Sequence, residues 1–238
     1  MLELVLLFAA AFSAAAISGA AGFGGALLLL PLLVATVGVT QAVPLLTIAQ
    51  LIGNLSRAGF GFTQIQWKPV GLFLLGAIPF SLVGALSFVQ SPKELITRAI
   101  GAAILVFVAL KYFGLLEIKS GRAVLIGGGG LVGFLSGLVG SAGPLGAGIF
   151  LSLGLPPVAY VASEATTAIA MHGVKTVVYQ HYIVLNREFW FLAALMGVAM
   201  VLGTWSAKRV IERMPRETFQ RFVAIMLVAI AGYMVIHG

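Results

Sequence analysis

The chain has 238 residues, of which 61% are hydrophobic and 9% are charged, and its mean hydropathy is +1.11. Soluble domains are about 45–50% apolar and about 25% charged, so the 14 basic and 7 acidic side chains are too few to cover a soluble fold of this length. The formal charge of +7 does not indicate nucleic-acid binding, because the basic residues flank apolar runs, as positive-inside bias places them. Composition therefore predicts an integral membrane protein.

Eight apolar segments are long enough to cross a bilayer, which takes roughly 20 helical residues. Their continuous apolar character excludes a β-barrel, whose strands alternate apolar and polar residues. We expect an all-α, multi-pass membrane bundle. The predicted segments are Leu4–Val37, Ala42–Thr63, Pro69–Val89, Thr97–Leu116, Ala123–Leu153, Val158–Tyr182, Glu188–Ala207 and Thr218–Ile236, with turns expected at Gly38 and at Pro156-Pro157, among others.

Neither a metal nor a cofactor is expected. The sequence has no cysteine, which excludes disulfide and thiolate–metal chemistry. The glycine run at 127–130 lacks the Gly-Lys-Ser/Thr of a phosphate-binding loop. The N-terminus has no positively charged region before its apolar run, so no cleaved signal peptide is expected.

The sequence contains an internal duplication. Ser18–Gly22 aligns with Ser136–Gly140 at an offset of 118, and the same offset pairs Asn54 with His172 and Arg57 with Lys175. A second block, Pro92–Glu94, matches Pro215–Glu217 at an offset of 123. The duplication predicts two repeats of four segments each, residues 1–118 and 119–238, joined in one membrane domain.

Segments one and five exceed 30 residues, or about 50 Å as a single helix, against a hydrocarbon core of about 30 Å. Each is interrupted by glycines, at 19–25 and at 137–148 with Pro144. If all eight segments cross, the basic residues divide seven against seven. If segments one and five are re-entrant hairpins, the division is ten against four, with Lys93, Arg98, Lys175 and Arg187 in the minority. We favour the hairpins and inverted repeats, because only that division obeys the positive-inside rule; long broken helices that span remain an alternative.

Polar residues are rare inside the apolar segments, where a charge costs roughly 2.5–3.5 kcal/mol on insertion scales. Gln50, Asn54 and Arg57 share one face of segment two by their spacing of three and four residues. In segment six, Glu164 and Lys175 share a face, with Thr167 and His172 at its edges. Three alternatives stay open: Arg57 and Lys175 can snorkel to the interface, the glycines can serve helix packing, and Glu164 can simply complement a helix N-terminus.

Broken helices expose backbone N–H groups at the positive ends of their dipoles, which attract anions. Interrupted segments at matching places in two halves also indicate a transporter binding site. We therefore predict a site for a small oxyanion, with Glu164 and His172 as proton-coupling candidates. The predicted substrate-binding residues are Gly22, Phe23, Gly24, Gly25, Gln50, Asn54, Arg57, Gly140, Ser141, Ala142, Gly143, Thr167, His172 and Lys175. Besides the anion, the bilayer is the expected partner, and homo-oligomerisation stays open.

The stretches Ser18–Gly25, followed by Pro31, and Gly137–Gly143 resemble the two signature stretches of the TauE/SafE sulfite exporter family. The resemblance extends to the duplicated four-segment plan and to Asn54 and Arg57. It implies a bacterial or archaeal cytoplasmic-membrane permease for sulfite or organosulfur anions such as sulfonates, working by secondary transport without a cofactor. The second stretch lacks the Phe-Gly-Gly of the first, so the two half-sites are unequal.

Two other functions are alternatives. A passive anion channel uses the same kind of bundle. An intramembrane serine hydrolase would pair Ser141 with His172, but the stretch around Ser141 lacks the required Gly-x-Ser-Gly turn, and Phe23 stands at the corresponding place in the first half. We therefore do not expect an enzyme.

Overall fold

The computed structural model describes residues 2–21, 26–88, 121–139, 142–182, 186–215 and five further positions between 217 and 225. Within these residues the fold is all-α, as predicted, and no strand occurs. Segment four and most of segment eight lie outside the described residues, as does the Pro92–Glu94 block. The helices are α1 (Leu2–Ala21), α2 (Ala26–Phe60), α3 (Trp67–Ser87), α4 (Arg122–Val139), α5 (Gly143–Leu151), α6 (Pro157–Tyr182) and α7 (Arg187–Arg213), with a 3-10 turn at Phe62–Gln64.

Both glycine stretches lie partly outside the described residues, which do not include 22–25 or 140–141. In the first half α1 ends at Ala21 and α2 begins at Ala26, and in the second half α4 ends at Val139 and α5 begins at Gly143. The turn predicted at Gly38 is wrong, because α2 runs through it without a break for 35 residues, about 52 Å. A lone glycine costs a helix only about 1 kcal/mol, which its neighbours can offset.

A real turn follows α5. Gly154 has a φ of 62°, in the left-handed region that favours glycine, and Leu155 and Pro156 are not helical. Pro156 and Pro157 both lack a backbone N–H, and each disfavours the helical conformation of the residue before it. Pro157 itself begins α6, where its missing N–H costs nothing.

Helices α3 and α4 run parallel, with their backbones in contact. A methyl group on Gly129 would lie 2.1 Å from the carbonyl oxygen of Phe73, one on Gly133 would lie 2.2 Å from that of Ala77, and one on Gly137 would lie 2.4 Å from that of Ser81. Residue numbers increase together along both helices at these contacts, so the two helices are parallel. Small residues at a spacing of four let membrane helices approach this closely. For Gly137, the packing interpretation is therefore correct.

Helices α2 and α6 run antiparallel. Gly61, just after α2, packs on Val158 and Ala162 near the start of α6. At the other end of the pair, Val43 belongs to the same apolar cluster as Val178 and Tyr179. These two helices carry most of the buried polar side chains, so their direction decides which of those side chains meet.

Helix α5 folds back along α4. Gly146 lies against Val132, and Ile149 lies against Gly128, so residue numbers rise along α5 as they fall along α4. The rings of Phe150 and Phe73 also pack edge to face, with centroids 5.3 Å apart. The chain therefore turns back between α4 and α5 and returns towards the end of the bundle where α4 begins.

Two helices in the described part of the chain, Trp67–Ser87 and Arg187–Lys208, are long and apolar enough to cross a bilayer. One side of α3 exposes a continuous apolar surface that includes Leu75, Phe80 and Val83. Surfaces of this kind suit lipid and are rare on soluble monomers. Both features agree with the membrane protein that composition predicts.

Candidate functional site

Helix α2 carries three polar side chains on one buried face. Gln50, Asn54 and Arg57 are each 1% exposed. The Arg57 guanidinium donates a hydrogen bond through Nη2 to the side-chain oxygen of Asn54, three residues earlier. Although Arg57 lies in the last turn of α2, its side chain stays inside the protein, so the snorkelling interpretation is wrong for this residue.

The antiparallel arrangement brings Glu164 of α6 opposite Arg57. Nη1 of Arg57 lies 3.7 Å from Oε2 of Glu164, and both side chains are buried. The Thr167 hydroxyl donates to the Glu164 carbonyl at 2.8 Å, and both residues face the same interior space. Glu164 is therefore part of a buried ion pair, and it does more than complement the start of its helix.

At the other end of α6, Lys175 is fully buried and donates from Nζ to Oγ of Ser136 on α4, at 3.2 Å. One turn later, the Tyr179 hydroxyl donates to the Gly137 carbonyl at 3.2 Å. Both contacts tie α6 to the last turns of α4, just before the second glycine break. The snorkelling interpretation therefore fails for Lys175 as well.

A cavity of about 20 Å³ lies between α2, α4, α5 and α6. This volume admits about one water molecule. The N-terminal end of α5 faces it, and Ala142 gives that end no side-chain cap. The residues that line the cavity are Gln50, Asn54, Arg57, Val132, Ser136, Ala142, Gly143, Gly146, Glu164, Thr167, Ala168, Met171 and His172.

Three lining side chains carry buried nitrogen atoms that have no hydrogen-bond partner in the described structure: Nε2 of Gln50, Nδ2 of Asn54 and Nδ1 of His172. A buried polar atom without a partner costs about 1–3 kcal/mol. Both amide nitrogens are obligate donors. A ligand with several acceptor oxygens would satisfy them.

A family model described as sulfite exporter TauE/SafE matches residues 7–234, nearly the whole chain. The chain belongs to the TauE/SafE family. It is accordingly a membrane transporter of a family that exports sulfite-type anions. No curated protein and no solved structure matches it.

In this TauE/SafE chain, the predicted site residues fall into three groups. Gly22, Phe23, Gly24, Gly25, Gly140 and Ser141 lie outside the described residues. Lys175 does not line the cavity, but its partner Ser136 does. The remaining predicted substrate-binding residues line the cavity together with Glu164, namely Gln50, Asn54, Arg57, Ala142, Gly143, Thr167 and His172.

Sequence reasoning missed four apolar lining residues of the TauE/SafE cavity, Val132, Gly146, Ala168 and Met171. They carry no polar signal, and their place depends on how α4 and α5 fold against α6. The duplication singled out Ser136, but it assigned that residue no role in the site. Among the described residues, no group of three His, Cys, Asp or Glu side chains could hold a metal ion.

Proposed function

We propose that this protein is a secondary transporter of a small anion, either sulfite or an organosulfonate, in the cytoplasmic membrane. The observation that carries the proposal is the buried cavity in which Gln50, Asn54 and His172 present nitrogen atoms without partners beside Arg57. An oxyanion supplies both the negative charge and the several acceptor oxygens that these groups need. Gly22–Gly25, Gly140, Ser141 and Lys175 complete the proposed site.

Charge and burial support an anion over a cation or a neutral solute. Arg57 and Lys175 are 1% and 0% exposed, and each sits on a helix packed inside the protein. Buried cations in membrane segments are costly, and they usually mark a pathway for an ion or a substrate. The N-terminal end of α5 has no side-chain cap, and it adds the positive end of a helix dipole to the same cavity.

Helix directions support the hairpin in the second half. Helix α4 starts at the level of α3, and α6 also starts there, because the backbone N–H of Gln66 donates to Oγ of Ser163 at 2.9 Å. After α4, α5 runs back towards the end of the bundle where α4 begins, and α6 then starts at that end. Segment five therefore enters and leaves at the same end of the bundle. An all-spanning segment five would place those two starts at opposite ends.

Basic residues support the same topology. Lys68 and Arg122 begin the parallel helices α3 and α4. Lys208, near the end of α7, lies over the Phe60 ring at 5.9 Å and therefore at the same end of the bundle. Arg187 begins α7 at the other end. Lys68, Arg122 and Lys208 thus lie at one end of the bundle, which we call the Lys68 end. This agrees with the ten-to-four division and makes the Lys68 end cytoplasmic.

We also propose that residues 1–118 and 119–238 are inverted repeats. At an offset of 118, α1 corresponds to α4, α2 to α5 and α6, and α3 to α7. Gly203 of α7 packs on the backbone of Phe12 in α1, just as Gly84 of α3 packs on that of Phe134 in α4. Helices α2 and α6 correspond to each other and run antiparallel, as a two-fold axis in the membrane plane requires.

The size of the cavity favours a carrier over a passive channel. A space for about one water molecule cannot hold a sulfur oxyanion until the helices around it move. The Arg57–Glu164 pair is part of its lining. A site that must change shape before it holds its substrate fits alternating access.

Counterflow tests this function. In proteoliposomes loaded with unlabelled sulfite, we expect transient accumulation of labelled sulfite, which a channel does not produce. Asn54→Asp adds a negative charge beside Arg57 and should raise the half-saturating sulfite concentration at least about tenfold, corresponding to about 1.4 kcal/mol. Gln64→Glu makes the same charge change at an exposed position outside the cavity and should leave counterflow unchanged.

Two results would contradict the proposal. Absence of counterflow in the wild-type protein would remove the carrier. Equal sulfite dependence in Asn54→Asp and wild type would place the anion elsewhere in the molecule.

A further inference from the structure

The two ends of the α2–α6 pair differ by a single charge. Glu164 lies opposite Arg57, and Lys175 follows Glu164 by eleven residues, about three helical turns. Eleven residues before Arg57 on the antiparallel partner stands Leu46, which is fully buried. The antiparallel register of α2 and α6 therefore places Leu46 opposite Lys175. An exact repeat of the Arg57–Glu164 pair would place an acidic residue there.

Once the transporter binds its anion, two negative groups compete for the Arg57 guanidinium: the anion and the Glu164 carboxylate. The Glu164 carboxylate is already 3.7 Å away, and it faces the same cavity as the proposed anion site. An oxyanion at Arg57 would meet that carboxylate in a buried, poorly screened space, where like charges repel strongly. Protonation of Glu164 removes the repulsion and frees Arg57 for the anion.

Resting on the proposed function, we propose that Glu164 is the proton site of transport. The anion displaces the Glu164 carboxylate from Arg57, and the carboxylate takes one proton from a hydronium ion on the side where the anion binds, which leaves water. Anion and proton then cross together in the same direction. After both are released, Glu164 pairs with Arg57 again, and the empty carrier returns. The proton is bound and released once per cycle, and no other bond changes.

The groups around Glu164 favour it for this role. Arg57 faces it from α2, and Tyr160 lies one turn earlier on α6, close enough to interact with both members of the pair. Gly146 faces it from α5 and carries no charge. His172, the other candidate, lines the same cavity but is not part of the ion pair. Glu164 is the carboxylate among the described lining residues.

The test separates two modes of transport. Glu164→Gln mimics the protonated side chain, so it should keep sulfite counterflow within about threefold of wild type. Net efflux into sulfite-free medium requires the empty carrier to return with Arg57 and Glu164 paired, so it should fall at least tenfold. All variants are compared at one pH, because sulfite itself exchanges protons with water.

Glu188→Gln is the matched control, since Glu188 is exposed in the first turn of α7. It should keep both modes. Glu164→Asp retains an ionisable carboxylate and should recover net efflux relative to Glu164→Gln.

Wild-type net efflux in Glu164→Gln would overturn the proton role, and so would equal loss of both modes in that variant. If Glu164→Gln does not fold, loss of net efflux in a folded Glu164→Asp overturns it. Absence of counterflow in the wild-type protein would instead contradict the transport function itself.

Discussion

Residues 26–60 form one continuous helix, whereas the residues 118 positions later form α5, a turn and α6. The two stretches align around their polar residues, Asn54 with His172 and Arg57 with Lys175. They differ where the turn occurs, because Pro156 and Pro157 align with Gly38 and Val39. Proline removes a backbone donor and restricts the preceding residue, whereas a single glycine only weakens a helix. The comparison shows that the chain turns between α5 and α6 at the proline pair, whereas α2 continues through the corresponding position.

The same two stretches also differ in how each buried cation is held. Arg57 has an acidic partner across the helix pair, and Lys175 has a serine hydroxyl on α4. The first arrangement is a buried ion pair, which is costly to break from one side. The second is a charge-assisted hydrogen bond to a neutral hydroxyl. The two stretches have similar sequences, but Arg57 and Lys175 therefore have partners of different chemistry.

The largest expected effect is an all-or-none labelling pattern that tests the opposite orientation of the two halves. Single cysteines at Gln64, Pro156 and Glu188 are treated in whole cells with a membrane-impermeant maleimide; the natural chain has no cysteine to interfere. We expect labelling at Glu188 alone, because Gln64 and Pro156 share the Lys68 end.

Permeabilised cells are the control, in which all three positions should react. Opposite accessibility of Gln64 and Pro156 in whole cells would mean that segment five spans the bilayer and that the repeats are not related as we propose.

The next largest effect compares the two cations. Arg57→Ala leaves Glu164 buried without its charge partner and should lower stability by about 3–5 kcal/mol. Lys175→Ala removes a hydrogen bond and should cost about 1–3 kcal/mol. Thermal unfolding of the purified proteins in detergent measures this difference, and sulfite counterflow should be lost in both variants.

Arg213→Ala, at an exposed position, should change neither property. Equal destabilisation by Arg57→Ala and Lys175→Ala would mean that the ion pair does not distinguish the two ends. Wild-type counterflow in both variants would remove the anion site.

The smallest effect separates glycines that allow close packing from glycines that do not. Gly137→Ala places a methyl group 2.4 Å from the Ser81 carbonyl oxygen and should lower stability by about 1–3 kcal/mol. Gly127→Ala on the same helix meets nothing within 4 Å and should raise stability by up to about 1 kcal/mol. Unfolding temperatures of the pair should therefore move in opposite directions, and equal shifts would contradict the packing role.

Much of this fold could be predicted from residue patterns. Continuous apolar runs predicted the all-α bundle, and the glycines at 137–143 indicated the break between α4 and α5. The error at Gly38 arose because local sequence does not show whether packing will offset a weak helix former. A proline pair, as at 156–157, is a stronger stop signal.

The candidate site was predictable where it depends on spacing within one helix. Gln50, Asn54 and Arg57 share a face for that reason. The Arg57–Glu164 pair was not predicted, because it depends on the antiparallel register of α2 and α6, and no pattern within either helix specifies that register. Ser136 could have been found as the partner of Lys175 only once α4 was known to pass beside α6.

The backbone contact between α3 and α4 bears on how the transporter moves. Carbonyl oxygens of one helix fit against glycines of the other at Gly129, Gly133 and Gly137, so sliding by even one residue would drive side chains into backbone. These two helices should therefore behave as a rigid frame. Helix α5 is nine residues long and is followed by a turn that contains Gly154 and Pro156. It is therefore the helix that we expect to move. We expect the space for a substrate to open by swinging α5 against a stationary frame.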